Sequence, residues 1–401
     1  MNFNLNTFLM GVSIALDLSE KEILSTNSFH SKRVAYISLR IAQELGLSDE
    51  ECFDLVSLAI LHDNGLTEAA LIHKLDKDSE LEKLENLKDH CSIGELNIIN
   101  FPFLTNPKNI ILYHHEHYDG SGFYGKKHNE IPLMSRIISF ADEIDFKYNL
   151  SDNCLNRQNE IKDFAQDSAS VLHDSDIIQA FLNICKNKAF WLDMQEITIN
   201  YSLNDYIPNI SINVTWEQIF EITKVFSKII DSKSKYTYYH TSGLIEKVSI
   251  MADYYKFDNN KRIKLKIAAA LHDLGKLAIP NKILDKDCAL SKEEFETIKT
   301  HTYFTHFTLR NLEDFKEIDK WAYCHHEKLN GGGYPYGLTA KELGFEERLI
   351  ACLDIYQALT EDRPYRKGLT HKEALLVMES MVEKNHIDSQ ITQDIKIVFN
   401  N

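Results

Sequence analysis

The sequence predicts an all-α protein of two tandem helical domains joined by a short extended or β-hairpin connector. Two observations carry that prediction. Apolar residues recur at helical spacing over most of the chain, and one series of His and Asp residues occurs twice. A length of 401 residues with 44% apolar side chains is enough to give each domain its own core. The domains are assigned to residues 1–192 and 215–401, with the connector at 193–214.

Taken in order, the stretch from Phe8 to Phe190 reads as successive helices, with Val34, Ile37, Ile41 and Leu45 on one face. Ser48 opens the capping box SDEE, so a helix starts there and runs to His62 and Asp63. Breaks fall at Phe101–Pro107 and Tyr118–Gly125, where Gly, Pro and polar residues accumulate. Between Asp193 and Val214 apolar and polar residues alternate, which marks the extended connector. Helical character resumes at Thr215 with the box TWEQ, and further boxes stand at Ser291 (SKEE) and Thr370 (THKE).

Composition excludes several classes. A formal charge of −16 is unsuited to long nucleic-acid backbones, whose binding needs clustered Lys and Arg. A small anionic ligand is compatible with that charge when metal ions supply local positive potential. Apolar runs such as Ile267–Leu271 are far short of a membrane span, and the N-terminus lacks the basic region of a signal peptide. A cytoplasmic location with no membrane partner is therefore expected. The seven cysteines are odd in number and form no CxxC pair, which argues against disulfides and against a thiolate zinc site. They are read as reduced core residues, including Cys324 beside His325.

The repeat carries the chemistry. His30, His62–Asp63, His90, His114–His115 and Asp142 follow one another at gaps of 32, 28, 24 and 27 residues. His240, His272–Asp273, His301, His325–His326 and Asp354 follow at 32, 29, 24 and 28. Solvated or core histidines have no reason to keep such gaps, so both series are read as metal ligands. Imidazole with carboxylate suits borderline to harder divalent ions, and seven ligands are too many for one ion.

LHDLGK at 271–276, HHEKLNGGGYP at 325–335 and RPYR at 363–366 accompany the second series. Together these residues resemble the HD-GYP branch of the HD-domain metal-dependent phosphohydrolases over Ile219–Asn401, with a partial copy over Thr7–Phe190. The resemblance implies two divalent ions per site, Fe or Mn ahead of other metals. Asp273 would bridge them, with His240, His272 and Asp354 on one ion and His301, His325 and His326 on the other. His30, His62, Asp63, His90, His114, His115 and Asp142 would form the corresponding set. A third ion, held in some members by a Glu four residues before the first His, is not expected, because Thr26 and Tyr236 stand there.

Such a pair of ions suits phosphodiester hydrolysis. Asp273 and Lys276 are the candidate catalytic residues, with Lys276 directed at a phosphate oxygen. Gly333, Tyr334 and Pro335 would shape the substrate pocket, and Arg363 and Arg366 would meet a phosphate or a guanine edge. The resemblance implies hydrolysis of cyclic di-GMP to linear pGpG and onward to GMP, mainly in the second half. Another cyclic dinucleotide such as cyclic GMP-AMP, a nucleotide, or a non-catalytic nucleotide or metal sensor are the alternatives. The first copy is degenerate: Leu66 stands for Lys276, and Gly122, Phe123 and Tyr124 stand for GYP, with no RPYR after Asp142. The second copy departs at Asn330 and Gln357, where the family commonly carries acids. A duplicated helical domain often keeps an ancestral self-interface, so an internal pseudo-dimer is also expected.

Overall fold

The computed structural model describes residues 1–24, 28–73, 80–151, 154–234, 240–362 and 367–400. The all-α expectation holds. The chain divides into two compact units, Met1–Val214 and Thr215–Asn401.

The first unit contains α1 (Leu5–Leu24), α2 (His30–Leu45), α3 (Asp49–Ile60), α4 (Leu66–His73), α5 (Glu80–Asn97), α6 (Leu133–Tyr148), α7 (Gln158–Ser168), α8 (Ser175–Ile184), α9 (Lys188–Asp193) and α10 (Ile199–Tyr206). Helix α2 is its centre, packed by α3, α6 and α8. Val34, Ile37 and Ile41 are fully buried in that contact, as their spacing requires. The Ser48 box forms: Glu51 N–H donates to Ser48 Oγ at 3.3 Å and Ser48 N–H to Glu51 Oε2 at 2.8 Å. Gly46 ends α2 at φ 77°, a conformation that disfavours a side chain.

The second unit contains α11 (Trp216–Ser232), α12 (His240–Tyr254), α13 (Asn259–Leu271), α14 (Asn281–Leu284), α15 (Lys292–Leu309), α16 (Lys316–Tyr323), α17 (Phe345–Thr360), α18 (His371–Glu383) and α19 (Ser389–Val398). The boxes at Thr215, Ser291 and Thr370 all form. Helix α13 is its centre, packed by α11, α12 and α16. Ala268, Ala269, Ala270 and Leu271 are all fully buried, so the end of α13 is held on every side. Truncating Leu271 to Ala would cost about 2–5 kcal/mol.

The connector differs from the expectation. Residues 199–206 are helical because Ile199, Ser202 and Leu203 form a buried face at i, i+3, i+4, and that burial overrides the alternating pattern. Strand is confined, among the described residues, to Asn2–Phe3 (β1) and Ile212–Asn213 (β2), paired antiparallel. Of the extended segment or hairpin expected within 193–214, the structure has the strand Ile212–Asn213, paired with the start of the chain.

Candidate metal centres

In the second unit five pieces of backbone converge. They are the start of α12 (His240), the end of α13 (His272, Asp273), the middle of α15 (His301), the turn after α16 (His325, His326) and α17 (Asp354). Gly275 permits this. A Cβ there would lie 1.9 Å from His301 O, so only glycine lets the turn after α13 sit against α15. Gly65 does the same against His90 O, at 2.3 Å.

Hydrogen bonds set the ring orientations. His272, His301 and His325 each donate through Nδ1 to the carbonyl three residues earlier, at 2.8, 2.7 and 2.7 Å. Each Nε2 therefore presents a lone pair. His301 Nε2 and His325 Nε2 lie 3.2 Å apart, an arrangement of two acceptors that a shared cation resolves. Asp273 Oδ1 is buried without a hydrogen bond, 3.4 Å from His301 Nε2 and 3.8 Å from His325 Nε2. Its Oδ2 lies 3.1 Å from His272 Nε2 and accepts from Lys276 Nζ at 2.6 Å. Asp354 Oδ1 is 2.9 Å from His240 Nε2 and 3.8 Å from His272 Nε2.

Charge states agree with this geometry at Asp273 and the His301–His325–His326 group. Burial lowers His301 to about 3 and His326 to about 4, and takes His325 well down as well. Burial opposes ionisation of Asp273, but His272 and Lys276 outweigh it and hold the carboxylate well below its usual range. Neutral imidazoles beside an ionised carboxylate are the donor states that a divalent ion takes. Burial also pulls His240 down, yet Asp354 and Glu361 raise it to about 10.

The glycine loop is brought to the same place. The Tyr334 ring lies 4.9 Å from that of His326 and 6.4 Å from that of His301. Glu327, which follows the two histidines, holds the loop: Tyr336 N–H donates to Oε1 at 2.7 Å and Leu338 N–H to Oε2 at 2.9 Å. A Cβ on Gly333 would meet Glu327 Cα at 2.4 Å. Gly333 and Pro335 thus belong to a loop tied against the ligand turn. A cleft of about 420 Å³ opens onto His240, Asp273, His326 and Asp354, with Lys233, Lys276 and Lys286 on its walls. Arg363 and Arg366 lie outside the described residues, as do Thr26 and Tyr236.

The first unit repeats the constellation with changes. His62 and His114 donate through Nδ1 to Ala59 O and Ile111 O at 2.8 and 2.6 Å. His90 Nε2 and His114 Nε2 are 3.3 Å apart, and Asp63 Oδ1 is 3.1 Å from the former and 3.6 Å from the latter. His30 Nε2 is 3.1 Å from Asp142 Oδ1. His115, with a side chain 34% exposed, is 3.9 Å from Asp142 Oδ2. Glu116 anchors the loop as Glu327 does, accepting from Tyr124 and Lys126 N–H at 2.6 Å each. Phe123 takes the place of Tyr334, its ring 5.6 Å from that of His115.

Three participants carry no motif in the sequence. Glu20 Oε1, buried and without a hydrogen bond, lies 3.5 Å from His30 Nε2. Glu361 Oε2 lies 3.0 Å from His240 Nδ1. Cys91 Sγ lies 3.5 Å from His90 Nε2. Burial opposes the Cys91 thiolate, but His114 and His90 outweigh it and bring the thiol down to about 6. The expectation of core cysteines fails at Cys288, which is exposed; Cys91 is buried as expected, but one residue after His90 on α5 its side chain also faces the histidines. Residue-by-residue comparison of the copies flags it, since Thr302 stands at the equivalent place. Four groups of donors result, each with ligand atoms within 4.8 Å of one another. They are His30–His62–Asp142, His90–Cys91–His114–His115, His240–His272–Asp273 and His301–His325–His326.

Paired His–Asp clusters on a helical scaffold, repeated once, define an HD-type protein. The chain belongs to the HD-domain family, whose pattern matches residues 18–150 and again 224–391, and it is a tandem repeat of the HD-GYP kind. Its relatives include the 3'3'-cGAMP-specific phosphodiesterase 1 of Vibrio cholerae, 27% identical over 97% of this chain and 90% of that protein. The 3'3'-cGAMP-specific phosphodiesterase 3 of the same organism is 26% identical over 94% and 91%. A cyclic di-GMP phosphodiesterase of Pseudomonas aeruginosa is 32% identical over 40% of this chain and 39% of its own length. Among solved structures, a cyclic GMP-AMP specific phosphodiesterase of V. cholerae shares the fold, with a TM-score of 0.69 at 23% identity, covering 100% of this chain and 98% of that one. Among the described residues, no helix is long and apolar enough to cross a membrane.

Proposed function

We propose that the chain is a metal-dependent phosphodiesterase that opens a 3'3'-linked cyclic dinucleotide to its linear form, with hydrolysis in the second half. The observation that carries this reading is the facing of His301 Nε2 and His325 Nε2 at 3.2 Å beside the unpartnered Asp273 Oδ1. In it, His240, His272 and Asp354 would hold one divalent ion and His301, His325 and His326 a second, with Asp273 shared between them. Fe or Mn is the first choice for a set without sulfur. When bound, two such ions supply a nucleophile at neutral pH and neutralise charge at phosphorus.

The chain's own residues do the rest. Lys276 keeps Asp273 ionised and offers its ammonium to a phosphate oxygen in the cleft. Lys233 also stands on the wall, while Lys286 is paired with Glu294; positive side chains there suit a dianionic ring in a protein of charge −16. Tyr334 offers an aromatic face beside the histidines, and the bond to Glu327 keeps its loop in place.

For the base pair of the ring, 3'3'-cyclic GMP-AMP stands ahead of cyclic di-GMP. The support is that the full-length relatives named above are specific for the former, whereas the cyclic di-GMP relative aligns over 40% of the chain. Asn330 and Gln357, both departures from the family's acids, agree with an altered preference. The test is turnover of both dinucleotides by the metal-loaded protein with identification of products. Faster release of linear product from cyclic di-GMP would reverse the order of substrates. His272→Ala or Asp273→Ala variants that match the parent would overturn the site.

A further inference from the structure

The two copies differ most at the donor group built around the second histidine cluster. In the second unit Thr302 follows His301, and its hydroxyl donates to Lys299 O at 3.0 Å. In the first unit Cys91 takes that place. It is fully buried, its Sγ is 3.5 Å from His90 Nε2, and it falls within 4.8 Å of the ligand atoms of His90, His114 and His115. The His114 Nδ1 bond to Ile111 O turns its Nε2 inward.

A second observation points the same way. Across Asp63, the neighbouring group of His30, His62 and Asp142 also receives a further donor, Glu20 Oε1, which is buried and without a hydrogen bond. His62 Nε2 is likewise buried with no hydrogen bond. Glu20 and Asp142 face His30 on one side of Asp63 and Cys91 faces His90 on the other, and Leu66 stands where Lys276 supplies a cation in the second copy.

We infer that the first half holds a closed, structural metal site in which the Cys91 thiolate is the fourth ligand beside His90, His114 and His115. This rests on the reading of the histidines as metal ligands and goes beyond it in ligand, metal and role. Three imidazoles and one thiolate form a four-donor set that suits tetrahedral Zn²⁺, whereas the sulfur-free second copy suits harder ions. With Asp63 left to the His30–His62–Asp142 side of the site, four protein donors leave no open position for substrate, and that is the physical difference between a structural and a hydrolytic site.

The experiment is the full chain loaded with Co²⁺ and examined by absorption spectroscopy and elemental analysis, beside Cys91→Thr, Cys288→Ser and Cys324→Ser. Cys91→Thr installs the residue that the second copy carries. The parent is expected to show thiolate-to-cobalt charge-transfer absorption in the near ultraviolet. Cys91→Thr should abolish it and weaken cobalt binding at this site by about tenfold or more, while the other two variants keep it. Hydrolysis by the second half should persist in Cys91→Thr. Cobalt bound by the parent without that absorption, or absorption that survives Cys91→Thr, overturns the thiolate ligand and leaves the hydrolytic reading intact. A parent that takes up no cobalt overturns both.

Discussion

Glu361 Oε2 lies 3.0 Å from His240 Nδ1 and accepts from Gln357 Nε2 at the same distance. In the first unit the equivalent imidazole, His30, meets Asp145 Oδ2 at 2.6 Å, and Arg33 grips that carboxylate through Nε and Nη2. Asp145 stands three residues after Asp142; Gln357 stands three after Asp354. The second copy places its orienting carboxylate four residues further on, just past the end of α17. Gly243 stands at the place of Arg33, and a Cβ there would lie 2.4 Å from the Gln357 amide.

A carboxylate on the far nitrogen of a ligand histidine fixes its orientation and raises its basicity. Glu361→Ala is therefore expected to weaken metal binding by roughly 10- to 100-fold, and adding Gln357→Asp should recover most of the loss. Metal titration of the single and double variants measures both effects. Equal affinity in parent and Glu361→Ala would assign Glu361 no part in the site.

Lys276→Leu, which reproduces the first copy, should leave bound metal unchanged and lower kcat by roughly 10²- to 10³-fold, the scale for losing one preorganised charge contact. Kinetics paired with elemental analysis separates the two readouts. Loss of metal in step with activity would show that Lys276 only maintains Asp273.

Stripping metal with a chelator should lower the melting temperature of the second unit. The facing lone pairs of His301 and His325 then lose the cation between them. Saturating metal at 100 times its Kd stabilises by about 2.7 kcal/mol, or roughly 5–10 °C for a unit of this size. Calorimetry before and after readdition of metal checks this, and an unchanged melting temperature would contradict it.

Glu327→Ala leaves the Tyr336 and Leu338 N–H groups without their carboxylate. A cost of about 3–6 kcal/mol is expected from two charged hydrogen bonds, together with a higher KM and unchanged metal content. An unaltered KM would remove the glycine loop from substrate binding.

The sequence by itself determined the helical class, the duplication and both His–Asp series, because residues that meet at one site must recur at the gaps that bring helix ends together. It also separated the copies at Leu66 and Lys276. Tertiary structure alone decided which other side chains reach those ligands. Glu20 is 10 residues from His30, and Glu361 is 121 from His240; no local pattern connects such pairs. Cys91 adjoins a ligand in sequence, but whether its sulfur faces the histidines depends on the rotation of α5 in its packing. The same holds at 199–206, where burial of Ile199 and Leu203 turned an alternating stretch into helix. Local spacing encodes what one element must present, and packing between elements decides what each side chain meets.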